Sequence, residues 1–326
     1  MDGRRTSILG GLLVVAVLAA LTTPARHAVA DGRSRTTGAG RPATGADVQV
    51  ALASGRGYVE HQPAAGTAAA SRSRPLVVAL PGLWNTPAVL AASSRLDAFA
   101  DAHGFLLAYG VGVGRSWNAG RCCGEAAAGG IDDVAYLADV VADVAGRHLV
   151  DRRRVYVVGF SNGGMLAERA VCDRPDLFAA AGSVAGPLLV PCLSPVPVRI
   201  AHLHGLRDTT VPYLGGFSQL AGVWMPSSAA LPASVARQVP GSTVELVTVA
   251  GMGHRWPSPR RDGIDGTATL WAFLSAWSRR GCGGQTSARA AREGATAAMP
   301  RPCRMRRLTS STRPTASTTP SSPRCM

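Results

Sequence analysis

A chain of 326 residues, 46% of them apolar, is long enough for one large domain or two small ones and can bury a substantial core. Its formal charge of +14 comes from the ends: residues 1–45 carry six Arg against two Asp, and residues 279–326 carry ten Arg against one Glu. The stretch between them, 46–278, is left with a net charge of +1, which excludes a phosphate-tracking surface, so no nucleic-acid partner is expected.

The chain begins with the three parts of a secretory signal. Arg4 and Arg5 precede an apolar run from Ile8 to Leu21, and Ala28-Val29-Ala30 offers a small-x-small cleavage site before Asp31. The run is short for a membrane span, so residues 1–30 read as a signal peptide and no stable membrane anchor is expected after cleavage. A secreted, extracellular protein follows. Residues 31–46, rich in Gly, Arg, Thr and Ala without hydrophobic periodicity, read as a linker.

From there the elements alternate. Residues 47–62 have the short alternating stretches of an antiparallel edge hairpin, and Ala64 to Arg74 is a small-residue turn. The run Pro75 to Leu80 is apolar on both faces, as a central strand of a parallel sheet requires. Thr86-Pro87 has the form of an N-cap followed by a first-turn proline and starts a helix reaching about Ala102. A short strand, 104–110, precedes an aperiodic ordered loop, Ser116 to Gly124, and Ile131 to His148 is spaced as a helix. Further strands are predicted near 155–159, 179–184, 196–203 and 244–249, with helices after 161, over 228–238 and over 267–277. This order means one α/β domain over 47–280, a mainly parallel sheet flanked by helices. Residues 281–326 hold almost no large apolar residue and read as a disordered basic tail.

Seven cysteines in an exported chain point to disulfides. Cys122 and Cys123 are neighbours and are not expected to bond to each other without strain. Cys172 and Cys192 are the other two within the domain, and spacing leaves the connectivity open. No His/Cys set has zinc-ligand spacing, so no metal and no cofactor are expected.

The chemistry concentrates at Gly159-Phe160-Ser161-Asn162-Gly163-Gly164. A β-branched run leads into Gly-x-Ser-x-Gly and a helix leads out, which is the setting of a nucleophile elbow with Ser161 at its tip. A serine needs a base, and the base needs an acid to fix its tautomer; in this fold the chain order is Ser, acid, His. Asp208, shortly after the strand 196–203, is the best acid, ahead of Asp173, Asp176, Asp262 and Asp265. His254 lies in Gly251-Met252-Gly253-His254, just past the last strand, and is the base. The other histidines have plainer readings: His202 as a packed core residue, His204 bonded to backbone ahead of Asp208, and His148 favouring a helix end. Backbone N–H groups of Asn162 and, from the loop after the first central strand, Leu83 are the expected oxyanion donors.

These residues resemble a family. Leu76 to Gly82, Trp117-Asn118-Ala119-Gly120-x-Cys122-Cys123-Gly124, Asp132-Asp133-Val134, Gly159 to Gly164, His204-Gly205-x-x-Asp208-x-x-Val211-Pro212-Tyr213 and Gly253-His254-x-Trp256-Pro257 occur in the order found in secreted polyhydroxybutyrate depolymerase/feruloyl (acetylxylan) esterase-type α/β hydrolases. The match runs through residues 50–278. The resemblance implies the α/β-hydrolase fold, Ser161, Asp208 and His254 as catalytic residues, and Trp117, Asn118 and Trp256 beside the substrate cleft. It also implies an ester substrate, polyhydroxyalkanoate or polysaccharide-linked acyl and feruloyl groups. The chain departs from the family in having Pro81-Gly82 where His-Gly is usual, and proline has no N–H to donate. The alternatives to a serine ester hydrolase are a serine peptidase on the same fold and a catalytically silent cell-wall or polymer-binding protein that keeps it.

Overall fold

The computed structural model describes residues 47–62 and 72–279; the expected signal peptide, linker and tail lie outside the described residues, as does most of the turn after residue 62. The chain opens with the hairpin β1 (Asp47–Ala51) and β2 (Gly57–His61), followed by β3 (Arg74–Leu80), α1 (Pro87–Ser94), α2 (Leu96–His103) and β4 (Leu106–Gly110). Next come α3 (Gly124–Ala128), α4 (Asp133–Arg147), β5 (Val150–Phe160), α5 (Asn162–Asp173), β6 (Ala180–Val184) and β7 (Arg199–Gly205). The remainder is a small hairpin, β8 (Gly216–Ser218) and β9 (Val223–Met225), then α6 (Leu231–Gln238), β10 (Thr243–Val249), α7 (Pro259–Asp262) and α8 (Gly266–Ser275).

One eight-stranded sheet has the order β1-β2-β4-β3-β5-β6-β7-β10. The hairpin joins it antiparallel through β2 and β4, and all pairs from β4 to β10 are parallel. This is the α/β-hydrolase fold. The strands are apolar on both faces because helices cover both. On β3, Leu76, Val78 and Leu80 point into one core layer with α4 and α5, and Val77 and Ala79 into the other with α1, α2 and α8. On β5, Val155 and Val157 face the first layer and Tyr156 and Val158 the second. Parallel pairing puts the C-terminal ends of β3, β5, β6, β7 and β10 along one edge of the sheet, and the loops leaving β3, β5, β7 and β10 carry the chemistry-bearing residues.

Two sequence expectations need correction. The single helix from Pro87 to about Ala102 is two helices. Thr86 Oγ1 caps the first by accepting from Val89 N, but Arg95 takes φ +58° and its N–H turns back to Ala91 O. Ser94 Oγ donates to Leu90 O and accepts from Leu96 N, so it closes α1 and starts α2. A serine that bonds its own helix backbone competes with continued winding. The second correction concerns the adjacent cysteines. Cys122 and Cys123 are joined to each other, across a cis peptide that sets their Cα atoms 3.0 Å apart. Across a trans peptide two neighbouring Cα atoms stand about 3.8 Å apart. Cys172 and Cys192 form the other disulfide, with Cα atoms 5.1 Å apart, tying α5 to the segment after β6. The small hairpin β8–β9 and helix α3 are too short for periodicity to reveal.

The Cys172–Cys192 bridge closes a loop of 20 residues, and constraining an unfolded chain over that length is worth about 3 kcal/mol. Replacing both residues by Ser is expected to lower the free energy of urea unfolding by about that amount; an unchanged unfolding midpoint would contradict it.

Candidate active site

The site is built on backbone geometry before any side chain enters. Between β5 and α5 the chain reverses at Ser161, which has φ +53° and ψ −122°, a conformation that costs a non-glycine residue of order 1–3 kcal/mol and persists only where surroundings enforce it. They do so from both sides. Ser161 N–H donates to Val184 O at 2.8 Å and Ser161 O accepts from Met165 N at 2.9 Å. A Cβ on Gly159 would run into the Gly163 backbone, and one on Gly163 would run into the carbonyls of Leu80 and Pro81. Glycine at both positions lets helix α5 start directly against the end of β3.

Asp208 and His254 reach the serine from two loops that are pinned together. The loop after β7 donates Leu206 N–H to Val249 O and Arg207 N–H to Met252 O, both at 3.0 Å, so the segment carrying Asp208 and that carrying His254 form one unit. His254 Nε2 is 2.9 Å from Ser161 Oγ, and His254 Nδ1 is 2.7 Å from Asp208 Oδ2. Asp208 Oδ1 accepts from Thr210 N and Val211 N at 2.9 and 2.8 Å. Phe160 packs against the imidazole, ring centroids 4.9 Å apart. Burial pushes the Asp208 carboxyl up, but bonds from His204 and His254 together with the Val211 N–H outweigh it and hold the group far below the usual carboxylate range. It is therefore a carboxylate at any working pH and can only accept, so the neutral His254 tautomer that fits it has its hydrogen on Nδ1 and turns Nε2 to the serine. A hydroxyl, an imidazole and a buried carboxylate in that array can remove the serine proton during attack on a carbonyl.

The competing acids are occupied elsewhere. Asp173 pairs with Arg169 and Asp176 with Arg174. Asp262 pairs with Arg255 and accepts from Ser258 N, bracing the far side of the His254 loop. Asp265 caps α8. His148 sits at the end of α4 and meets Glu60, with Nε2 2.6 Å from Oε1. His204 does bond backbone, Nε2 to Val211 O at 2.9 Å. His202 is fully buried, but in a polar contact: its Nδ1 is 2.6 Å from Glu168 Oε1.

The two expected oxyanion donors lie near the same turn. Asn162 N–H opens α5, Leu83 N–H lies in the loop after β3, and among the described residues neither has a hydrogen-bond partner. Pro81 does not spoil this loop: its carbonyl accepts from Trp117 Nε1 at 2.8 Å, and Trp84 N–H donates to Arg115 O at 2.7 Å. The Asn162 side chain has a further part that spacing did not reveal. Its Oδ1 accepts from Trp117 N at 2.8 Å and its Nδ2 donates to Trp117 O at 3.0 Å, a clamp on the backbone of one residue across 45 residues.

Of the three residues expected beside the cleft, Trp117 and Trp256 are buried and Asn118 is half-buried. Trp117 is 1% exposed and spends its indole N–H on Pro81 O. Trp256 is 6% exposed, lies in the core with α8, and donates to Thr267 Oγ1. Asn118 donates from its side chain to Ile131 O and from its backbone to Asp133 Oδ2. Asp133 in turn meets Arg56 at 2.8 Å, with the Arg56 guanidinium 3.6 Å over the Tyr136 ring. A buried indole whose N–H is satisfied internally serves as an anchor, as both tryptophans do, and Asn118 ties its loop to Ile131 and Asp133. The exposed aromatics are others: Trp84, next to Leu83, and Phe217 and Trp224, paired across β8–β9. Among the described residues one group has metal-ligand spacing, Asp47, His61 and Asp97; it belongs to the β1–β2 hairpin and α2, outside the serine site.

A family model described as esterase PHB depolymerase matches residues 59–222. NocK, a candidate esterase of Nocardia uniformis subsp. tsuyamanensis, is 35% identical over 153 residues, 46% of this chain and 44% of that protein. Feruloyl esterase B of Piromyces equi is 33% identical over 114 residues, 33% of this chain and 20% of that one. Poly(3-hydroxyalkanoate) depolymerase C of Paucimonas lemoignei is 25% identical over 247 residues, 61% and 59% of the two chains. The chain thus spans less than half the length of the first two relatives. A crystal structure of a thermostable esterase superimposes with a TM-score of 0.51 and 18% identity, over 73% of this chain and 64% of that one; this likeness concerns the fold.

The depressed Asp208 carboxyl makes a stability prediction with a definite sign. Its contribution is present above the ordinary carboxylate value of about 3.9 and is lost as pH falls toward the folded value. Below about pH 4 the wild type should therefore lose stability more steeply than Asp208→Asn, by up to about 1.4 kcal/mol per pH unit. Urea unfolding across that range checks it, and parallel curves would contradict it.

Proposed function

The chain belongs to the esterase PHB depolymerase family, and on that premise we propose that it is a secreted serine ester hydrolase working through an acyl-enzyme. Ser161 is the nucleophile, His254 the general base and then acid, and Asp208 the group that orients His254 and stabilises its imidazolium. One observation carries the reading: a single imidazole bridges a strained, buried serine and an ionised carboxylate at 2.9 and 2.7 Å. Attack by Ser161 Oγ on the ester carbonyl passes its proton to His254 Nε2, while the N–H groups of Asn162 and Leu83 receive the developing oxyanion. The imidazolium protonates the departing alcohol. Water then attacks the acyl carbonyl as His254 takes its proton, the Ser161 Oγ–acyl bond breaks as His254 returns that proton to Oγ, and the acyl group leaves as a carboxylic acid. No cofactor takes part.

The substrate class is carboxylic esters of the kind in the relatives' names: feruloyl or acetyl groups on polysaccharide, or polyhydroxyalkanoate. Export rests on the signal-like first 30 residues and fits a chain with disulfides in its body.

Ser161→Ala is expected to lower kcat for p-nitrophenyl acetate by at least about 10⁴-fold, with the circular dichroism spectrum retained, and to abolish labelling by a fluorophosphonate probe. A folded wild type that neither labels nor turns over any of a panel of p-nitrophenyl esters would sink the reading and leave the silent binding protein.

A further inference from the structure

Behind Asp208 lies a row of ionisable groups that the mechanism above does not use. Glu168 on α5 and His202 and His204 on β7 are each 0% exposed. Glu168 Oε1 is 2.6 Å from His202 Nδ1, and His202 Nε2 is 2.9 Å from His204 Nδ1. His204 Nε2 is 2.9 Å from Val211 O and 3.4 Å from Asp208 Oδ2. The last atom is the same carboxylate oxygen that holds His254 Nδ1. The row therefore runs from the elbow helix to the acid, and the acid leads back to the serine at the head of that helix.

Three such groups are expensive to bury. Glu168 Oε2 has no hydrogen-bond partner among the described residues, and apolar side chains of the same volume would fill the space at lower cost. The geometry also fixes a proton count. Val211 O can only accept, so His204 Nε2 carries a hydrogen. The His202–His204 contact needs one hydrogen between its two nitrogens, and the Glu168–His202 contact needs another. Three hydrogens for a carboxyl and two imidazoles is one more than a carboxylate and two neutral rings supply.

That extra proton has three resting places. With it on Glu168 Oε1, both rings are neutral. If the Oε1–H bond breaks as His202 Nδ1–H forms, His202 becomes cationic. If His202 Nε2–H then breaks as His204 Nδ1–H forms, the cation is His204. Each transfer leaves the bonding pair on the atom that loses the hydrogen, every contact stays made, and the row stays neutral overall. The Ser228 hydroxyl, 3.0 Å from the same His204 Nδ1, shares that nitrogen's single lone pair or hydrogen with His202.

We propose that Glu168, His202 and His204 form a buried proton-sharing row that positions Asp208 and sets how strongly it polarises His254. They are positioning residues, since none touches the reacting atoms, and the proposal rests on the hydrolase reading of Ser161, His254 and Asp208. The ionisable groups facing His204 and Asp208 are Glu168 from α5, His202 from β7, His254 from the loop after β10, and Tyr213, whose ring centroid is 5.6 Å from that of His204. A cation held on the row draws charge from Asp208 Oδ2, so less is left to hold a proton on His254, and His254 stays a free base to lower pH.

Glu168→Gln keeps the shape and supplies an amide donor to His202 Nδ1, but removes the transferable proton. The acid limb of kcat/KM for p-nitrophenyl butyrate is expected to move up by roughly half a pH unit or more. KM should stay within about twofold and kcat should fall about 3–10-fold. The wild type should also show two strongly deshielded imidazole protons by NMR, both present in Ser161→Ala; one is lost in Asp208→Asn and the other in Glu168→Gln. The NMR arm decides the matter on the wild type alone should Glu168→Gln not fold. An unmoved limb in folded Glu168→Gln, or a single deshielded proton in an active wild type, overturns the row and leaves the hydrolase reading standing. A wild type with no ester turnover overturns that reading instead, while the two protons still report on the row.

Discussion

Everything at the candidate site depends on one crossing where there is no room for a Cβ. Helix α5 begins against the carbonyls at the end of β3, and Gly163 is the point of contact; Gly159, on the strand side, faces the same turn. Because the two backbones meet there, Ser161 is left in a conformation it would not choose, at the head of a helix that its side chain does not cap. The cost of that turn is met by packing around it: the Val184 and Met165 backbone bonds, and α5 buried along nearly its whole length. A looser turn would release the strain and with it the position of the nucleophile.

The second constraint is that two loops behave as one. The bonds from Leu206 and Arg207 to Val249 and Met252 join the segments carrying Asp208 and His254, so the acid and the base cannot drift apart independently. The oxyanion side has a parallel arrangement. Trp117 is held through its backbone by Asn162 and holds Pro81 through its indole N–H. The loop after β3 is thereby tied to the residue following the serine. This explains why proline is tolerated at position 81: the loop is anchored through its carbonyl, which proline keeps, and not through the N–H it lacks.

What the sequence made legible has a common physical character. Ser161, Asp208 and His254 stand out because each lies just past an apolar run readable as a strand, and glycines flank the first and last. The alternation of β3 and β5 is equally local. Other features are settled only by what packs against them. Trp117 and Trp256 look alike in one dimension whether they line a cleft or fill a core, and only the partners of their indole nitrogens decide it. The break at Arg95 turns on the rotamer of Ser94. The Cys122–Cys123 bond turns on a peptide geometry that no spacing rule anticipates.

The histidines of β7 show the limit most clearly. Their spacing of two places His202 and His204 on one face of the strand, and that much can be read directly from His202-Leu203-His204. Which face, and against what, is another matter: Ile200 and its β6 partner Ala181 put it toward α5, and the position of Glu168 on that helix is fixed by the glycine crossing at its start. The turn that sets Ser161 at the head of α5 therefore also sets which helix residue reaches the rear of Asp208. If Glu168 were one position earlier or later, the 100° step of the helix would swing it off the β7 face, and His202 would be buried without a carboxyl. The elbow and the row behind Asp208 are two consequences of one packing contact, reaching the catalytic imidazole from opposite ends.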